Sequence, residues 1–476
     1  MLKRRNLLAV VGLCVPVCAS PALAINATLF DSFTPLSASA GPIPVGGAGE
    51  ATPLTLPGNF AQRSIGSRNE QLALGQPNSG SWDMITLNET GPQAGRFLFT
   101  VFETGSSGIQ RTDLQTGVTQ TIFQSPGTAP ALNSHVAFDA SYWTPWGTFI
   151  TAEESWNSVP SNNTSPFGRL FELTTPLATP AVAQANTLHR NVIPRTSHEG
   201  IQFDSAGNMY FIDELNGGNI YKFTSQTPGL PTFFNAGQTS VLRVGDGLGA
   251  NASNAQGAFT WIPFTDTTGA GLPGAVTITD PNGVTSVDAR ATANLAAFVG
   301  TDYQRPEDMQ IKRLANGDEV LYFTATTTDD VWQMNLTTGV INRFLSTGTI
   351  NAATGLAVGG AFNNPDNLAL DADGNLYVIE DTNGGVENDI WFVNDANNDG
   401  VAESIGRWAS NGTQGSELTG LYFSPFEPNV AFVNVQHPTS GNDRLLQISV
   451  IPEPATASLG AIVAGLLAGR RRRRLA

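Results

Sequence analysis

Residues 198–223 read HEGIQFDSAGNMYFIDELNGGNIYKF, and their reading decides the fold. Ser205, Gly207, Gly217 and Gly218 mark two turns, and Ile, Phe, Tyr and Met fill the stretches between them. Turn formers alternating with β-formers predict three antiparallel strands, at 199–204, 208–213 and 219–223. In an antiparallel pair the start of one strand lies beside the end of the next. Glu199 is therefore expected to converge with Asp213 and Glu214.

The same unit returns 167 positions later, where residues 365–385 read PDNLALDADGNLYVIEDTNGG. Gly374-Asn375 answers Gly207-Asn208, Tyr377 answers Tyr210, and Gly384-Gly385 answers Gly217-Gly218. The acids recur with the scaffold: Asp366 stands for Glu199, and Glu380-Asp381 for Asp213-Glu214. Looser copies begin at Pro306-Glu307-Asp308 and at Glu417-Leu418-Thr419-Gly420. Two degenerate copies lie upstream, at 97–114 and 147–173. Repeated small antiparallel units predict an all-β chain, a six-bladed β-propeller with long loops and one or two short helices. In such a ring the first strand of each unit lines the channel, so the acids at those strand starts circle one mouth.

The chain has 476 residues, with Gly 50 and Pro 29, as a turn-rich all-β protein would. Hydrophobic residues make up 41% and charged ones 13%, enough for a large core and against general disorder. Lys3, Arg4 and Arg5, an apolar run at 7–17 and Ala22-Leu23-Ala24 read as a signal peptide over 1–24. Both cysteines, Cys14 and Cys18, lie inside it, so the mature chain is expected to have no disulfide and no thiolate ligand. The leader carries three positive charges and the C-terminal arginines 470–474 five, so a net charge of −16 becomes −24 without them. That balance excludes nucleic acid and anionic surfaces as partners and favours cations, Ca²⁺ above all.

An irregular N-terminal arm is expected over 25–80, with part of 27–33 as a candidate strand to close the last unit, and the propeller over 81–450. Residues 225–284 are a long Gly/Thr/Asn-rich insertion. Val287, Ala291, Leu295 and Phe298 fall at helical spacing and predict a short helix over 288–298.

Clustered carboxylates repel, and bringing several together needs a compensating cation. Oxygen donors without Cys suit hard ions such as Ca²⁺ or Mg²⁺. The candidates are Glu199, Glu307, Asp366 and Glu417 at first-strand starts, with Glu153, Glu154, Asp213, Glu214, Glu380 and Asp381 at second-strand ends. A single such acid is more simply a solvated strand end, but solvated acids would not follow the repeat. His198 and His437 fall at the same edge, each a candidate general acid, metal ligand or channel hydrogen-bonding residue. Arg305, two residues before Glu307, could pair with carboxylates or hold a phosphate by two parallel hydrogen bonds. Residues 395–400, DANNDG, start like a calcium loop, but the position of an EF-hand's bidentate Glu is Gly406, so they read as a turn between outer strands.

Several of these pieces fall in one order along the chain: Thr144-Pro145-Trp146-Gly147-Thr148 with Glu153-Glu154, His198-Glu199-Gly200, Arg305-Pro306-Glu307, Pro365-Asp366-Asn367-Leu368, Glu417-Leu418-Thr419-Gly420 and Gln436-His437-Pro438. In this order the chain resembles the PhoX family of secreted bacterial alkaline phosphatases. The resemblance implies a propeller with calcium and iron ions at the channel mouth that hydrolyses phosphate monoesters of small substrates. It implies metal ligation by Glu154, Glu199, Glu307 and Asp366, and a substrate phosphate on Arg305. Counting back from the Thr144 motif sets Asp139 near the position where the family has an iron-binding Cys. A carboxylate there favours a harder cation. An all-calcium site, or a non-catalytic calcium-binding surface or matrix protein on the same propeller, therefore stays open beside the phosphatase.

The C-terminus, 451–476, runs Pro452-Glu453-Pro454, a short apolar stretch at 455–469, then five arginines. The apolar run is shorter than a full crossing of about 20 residues. This tail resembles the PEP-CTERM sorting signal, which implies processing by a membrane-embedded exosortase protease. With the leader, it implies export to the periplasm, surface or matrix of a Gram-negative bacterium, touching the membrane only through the tail.

Overall fold

The computed structural model describes residues 30–127, 134–156, 165–246, 254–280, 283–382 and 388–451. The expected signal peptide over 1–24 and the expected sorting tail beyond residue 451 fall outside the described residues. Among the described residues no helix is long and apolar enough to cross a membrane.

The chain is all-β, folded as successive antiparallel meanders. The first is Trp82–Leu87, Phe97–Phe102, Gly108–Asp113 and Val118–Gln124; the second is Phe138–Trp143, Phe149–Glu153, Leu170–Leu173 and Thr187–His189. Pro365–Leu370, Leu376–Glu380, Asn388–Asn394 and Ser404–Asn411 form another, widened by Leu54–Thr55 and Ile350–Asn351. Glu417–Phe423, Val430–Gln436 and Arg444–Val450 form the last. The quoted stretch folds into the three expected strands, Ile201–Phe203, Met209–Ile212 and Asn216–Ser225, continued by Gly237–Val244, but Gly217 and Gly218, expected in a turn, lie inside the third strand. Its tight turn follows from the sequence. Gly207 takes φ +77, and Asp204 Oδ1 accepts the Asn208 amide at 2.7 Å. Asp371 and Asn375 repeat that bond at 2.9 Å.

The first strand of each meander touches the first strands on either side, and Glu417–Phe423 touches Trp82–Leu87, so a ring closes around a channel. The apolar clusters fill the wedges between neighbouring meanders. One joins Phe99 and Phe149, another Ile201, Phe211 and Ala152, a third Trp408, Phe423 and Leu446.

This propeller departs from the six separate blades expected. Four sheets stand alone as blades. The meander of the quoted stretch and the one holding Pro306–Arg313, Glu319–Ala325, Asp330–Asn335 and Val340–Leu345 are fused into one ten-stranded sheet. The cause is Gly257–Pro263 from the long insertion, which pairs with Gly237–Val244 on one side and Val340–Leu345 on the other. The helix expected over 288–298 shrinks to Ala289–Thr292, capped by Asp288. The N-terminal arm is also more ordered than its composition suggests. Phe60–Ser67 closes the last sheet by pairing with Arg444–Val450, and the described part of the other candidate, 30–33, forms no strand. Phe30 is fully buried instead, against Phe60, Trp408 and Phe423.

Candidate metal centre at the channel mouth

A recurring backbone device aims the acids of five of the six first strands into the mouth. Ser81, Ala137, Arg305, Asn364 and Gly415 all adopt positive φ, and each stands two residues before an acid: Asp83, Asp139, Glu307, Asp366 and Glu417. For the four non-glycine residues this left-handed geometry is strained. In four of these strands the ladder then breaks, between Trp82 and Ile85, Phe138 and Ser141, Pro306 and Met309, and Pro365 and Leu368. The acid lies inside each break, where a bulge re-aims side chains. The carbonyls of Ser81, Ala137, Ser197, Arg305 and Asn364 accept the amides of Glu103, Glu154, Glu214, Thr326 and Asp381, which fixes the second-strand ends at the same edge.

The acid pairs at those ends split by the two-residue alternation of extended chain. Glu154, Glu214 and Asp381 face the mouth. Glu153, Asp213 and Glu380 face away and cap neighbouring backbone. Glu153 accepts the Val136 and Arg169 amides and pairs with the Arg169 guanidinium at 2.6 Å. Asp213 Oδ1 accepts the Ser197 amide at 2.9 Å, and burial pushes its pKa up to about 7. Glu380 accepts the Asn363 and Asp389 amides. Asp213 is thus a buried cap, and its place as a metal candidate is withdrawn.

The mouth is a cavity of about 450 Å³. Among the described residues ten carboxylates line it: the first-strand acids Asp83, Asp139, Glu199, Glu307, Asp366 and Glu417, with Glu103, Glu154, Glu214 and Asp381. Against them stand Arg305 and His437. Two triads bring ligand atoms within 4.8 Å of one another, Glu199–Glu307–Asp366 and Asp366–Asp381–Glu417, with Asp366 shared. Burial, then mutual repulsion, raises several of these carboxyls. Asp83 reaches about 8, and Glu307 about 7 although Arg305 and Thr326 oppose the rise. Asp139, Glu199, Asp366 and Glu417 are pushed well above the carboxylate range by the same causes.

Arg305 Nε donates to Glu214 at 2.7 Å and to Glu307 at 2.9 Å, and its Nη1 lies 3.9 Å from Asp381. Burial works against its charge, but Glu307, Glu214 and Asp366 hold its pKa above the ordinary value. His437 contacts Glu417 through Nε2 at 2.6 Å and the Gly415 carbonyl through Nδ1 at 3.0 Å. His198, by contrast, is fully buried outside the mouth, its ring 5.4 Å from that of Phe211. Burial and then Arg290 lower its pKa to about 3. It is a neutral packing residue there, and its candidacy as a general acid is corrected.

Sequence reading brings Glu154, Glu199, Glu307, Asp366, Glu417, Asp139, Arg305 and His437 to this mouth. It misses Asp83, Glu103, Trp156 and Gln436. Trp156 Nε1 donates to Glu154 and, at 2.8 Å, to Glu214. Gln436 Nε2 ties Asp83 at 2.9 Å to Glu103 at 2.8 Å. Asp83 had a signal: it opens the strand-forming run 82–87, which precedes the recognised 97–103 copy. Residues 395–400 form the connection between outer strands Asn388–Asn394 and Ser404–Asn411, where Asp395, Asp399 and Glu403 gather.

The family model described as alkaline phosphatase PhoX matches residues 140–439. No curated protein sequence matches the chain. Among solved structures, Pseudomonas fluorescens PhoX in complex with vanadate, a transition state analogue, is similar, with 17% identity over 87% of this chain and 98% of that one and a TM-score of 0.58. A streptogramin B lyase matches at 14% identity over 82% and 98%, with a TM-score of 0.38. The PQQ-bound aldose sugar dehydrogenase from Streptomyces coelicolor matches at 12% over 83% and 99%, with a TM-score of 0.41. The chain belongs to the alkaline phosphatase PhoX family.

Proposed function

We propose that this phosphatase-family chain hydrolyses phosphate monoesters of small molecules at the carboxylate mouth, with Ca²⁺ as the resident cation. The observation that carries the reading is Arg305, one guanidinium held among carboxylates at the edge of the triad Glu199–Glu307–Asp366.

The donor set fits a hard cation. The lining residues are oxygen donors apart from Arg305 and His437, and buried Asp83 Oδ1 and Asp139 Oδ1 have no hydrogen-bond partner. An iron held through a thiolate does not fit, because Asp139 stands near the cysteine position and, among the described residues, no Cys lines the mouth. No step is derived through iron. Bound calcium would polarise phosphoryl oxygens and offset charge developing on them.

The chain's own residues would then divide the work. Glu199, Glu307, Asp366, Asp381 and Glu417, with Glu154 and Asp139 beside them, would hold the cations. Arg305 would grip the phosphate and stabilise transition-state charge, its Nε anchored on Glu214 and Glu307 and its other nitrogens left for the ligand. His437, bonded to Glu417, is the group suited to hold a proton for the leaving oxygen. The leader supports export, and the tail supports release or display through an exosortase-type protease.

A second reading, a non-catalytic calcium-binding surface or matrix protein, is favoured by Asp139 alone. Metal analysis of purified protein together with a phosphomonoester assay separates the two. Turnover with bound calcium supports the phosphatase. Calcium binding without turnover, with calcium or iron supplied, overturns it in favour of the second reading.

A further inference from the structure

Trp156 stands outside every motif used above. It stands two residues after Glu154, and its backbone is anchored through Ser155. The Ser155 amide donates to Ser197 Oγ at 2.9 Å, and its carbonyl accepts from Arg290 at 2.8 Å. The residue is 39% exposed, an unusual place for the largest side chain. Its contacts explain the position. Glu214 is held from both sides, with Oε1 accepting from Arg305 Nε at 2.7 Å and Oε2 from Trp156 Nε1 at 2.8 Å. The same indole ring lies 5.5 Å from the Arg305 guanidinium carbon, within cation–π range. The indole thus reaches Arg305 twice, once through its face and once through the carboxylate that both residues share.

Arg305 needs such support. Its backbone is left-handed at φ +57, and its side chain is only 25% exposed, in a cavity whose carboxylates compete for it. Its Nε already bonds Glu307 and its Nη1 lies 3.9 Å from Asp381, so a guanidinium free to turn would close further onto these carboxylates and offer no open edge to a ligand.

We propose that Trp156 is a positioning residue that holds the Arg305 guanidinium with its free edge toward the cavity. The inference rests on the phosphatase reading, since it gives Arg305 the phosphate. A merely packed tryptophan would affect stability and leave the arginine's work unchanged.

A double-mutant cycle on the full calcium-loaded chain tests this. Trp156→Leu removes the face and the N–H; Trp156→Phe keeps a face and loses the N–H. Trp156→Leu is expected to lower kcat/KM for phosphomonoesters, and to weaken inhibition by orthophosphate, by about tenfold, with bound calcium unchanged. Trp156→Phe should recover part of the loss. In an Arg305→Lys background Trp156→Leu should cost less than about twofold, because the group it positions is gone. An equal loss in both backgrounds, or no loss in either variant, overturns the inference while the phosphatase reading stands. A folded wild type that neither turns over phosphomonoesters nor binds orthophosphate overturns that reading, and the inference with it. Should Trp156→Leu fail to fold, the cycle with Trp156→Phe reads the same coupling at smaller size.

Discussion

Two rings of acids, one inside the other, use the same residue types in opposite ways. Four outer acids come with their own cations: Glu153 with Arg169 at 2.6 Å, Asp288 with Arg290 at 2.8 Å, Asp389 with Arg407 and Glu172 with Arg190. The inner ring sets ten carboxylates against Arg305 and His437. Arginine is therefore supplied where a carboxylate only holds loops together, and withheld where the charge must be met from solution. Adjacent residues of one chain, Glu153 and Glu154, belong to different rings, so chain position alone does not decide the role.

Breaking an outer pair should have the largest effect. Arg169→Met leaves the Glu153 charge buried and unpaired, which costs about 3–5 kcal/mol. Urea unfolding should show that loss, and added calcium should not restore it. Recovery by calcium would mean that the two rings are not distinct.

Emptying the inner ring comes next. A cation that binds only the folded state adds about 2.7 kcal/mol at one hundred times its dissociation constant. Melting temperature should fall when calcium is chelated, and equal values with and without chelator would contradict the reading. Glu153 and the inner acids should also differ in pH sign. In metal-free protein a carboxyl with a raised folded pKa holds more protons folded than unfolded. Its stabilising effect is present in acid and lost as pH rises toward about 7 for Glu307 and about 8 for Asp83. Glu153 runs the other way: although burial opposes its charge, Arg169 holds its pKa below the ordinary value, so its contribution is lost as pH falls. Denaturant midpoints of chelated protein should therefore decline from about pH 5 to about pH 8, and calcium should flatten the decline.

A smaller effect separates the one inner cation from the outer ones. Arg305→Lys keeps the charge and loses the fork. It should reduce turnover of phosphomonoesters by at least about tenfold, about 1.4 kcal/mol, with little change in melting temperature. A loss of stability without loss of turnover would make Arg305 an outer-type residue. The smallest expected change is in metal preference. Asp139→Cys should raise bound iron relative to calcium, read by metal analysis after loading with both ions. An unchanged ratio would remove Asp139 from the ligand set.

Much of this was legible in the chain. Turn formers between β-formers at 198–223, and their return at 365, carried the meanders, and acids that moved with the repeat carried the mouth. What escaped was set by long-range pairing. Nothing local in Gly257–Pro263 says that it will bridge two meanders, because its partners lie outside the insertion. The split between Glu214 and Asp213 follows from alternation, but the breaks beside the acids hide which residue of a pair comes first. His198 looked like a rim residue by its place next to Glu199, and the same alternation turns it inward. Trp156 lacked any sequence signal, since its partners Glu214 and Arg305 come from other meanders.

The closing ladder between Phe60–Ser67 and Arg444–Val450 has a consequence in time. Its two strands come from near the two ends of the described chain, so a nascent chain cannot form the seam until almost all of it has been made. Joining ends so far apart costs on the order of 5 kcal/mol in loop entropy, repaid only when intervening sheets are already stacked. The seam is thus a late step, and until then the inner strands have no complete circle to hold the acids together. Cation capture is coupled to the end of folding: the mouth comes into being only once the last strand finds the first.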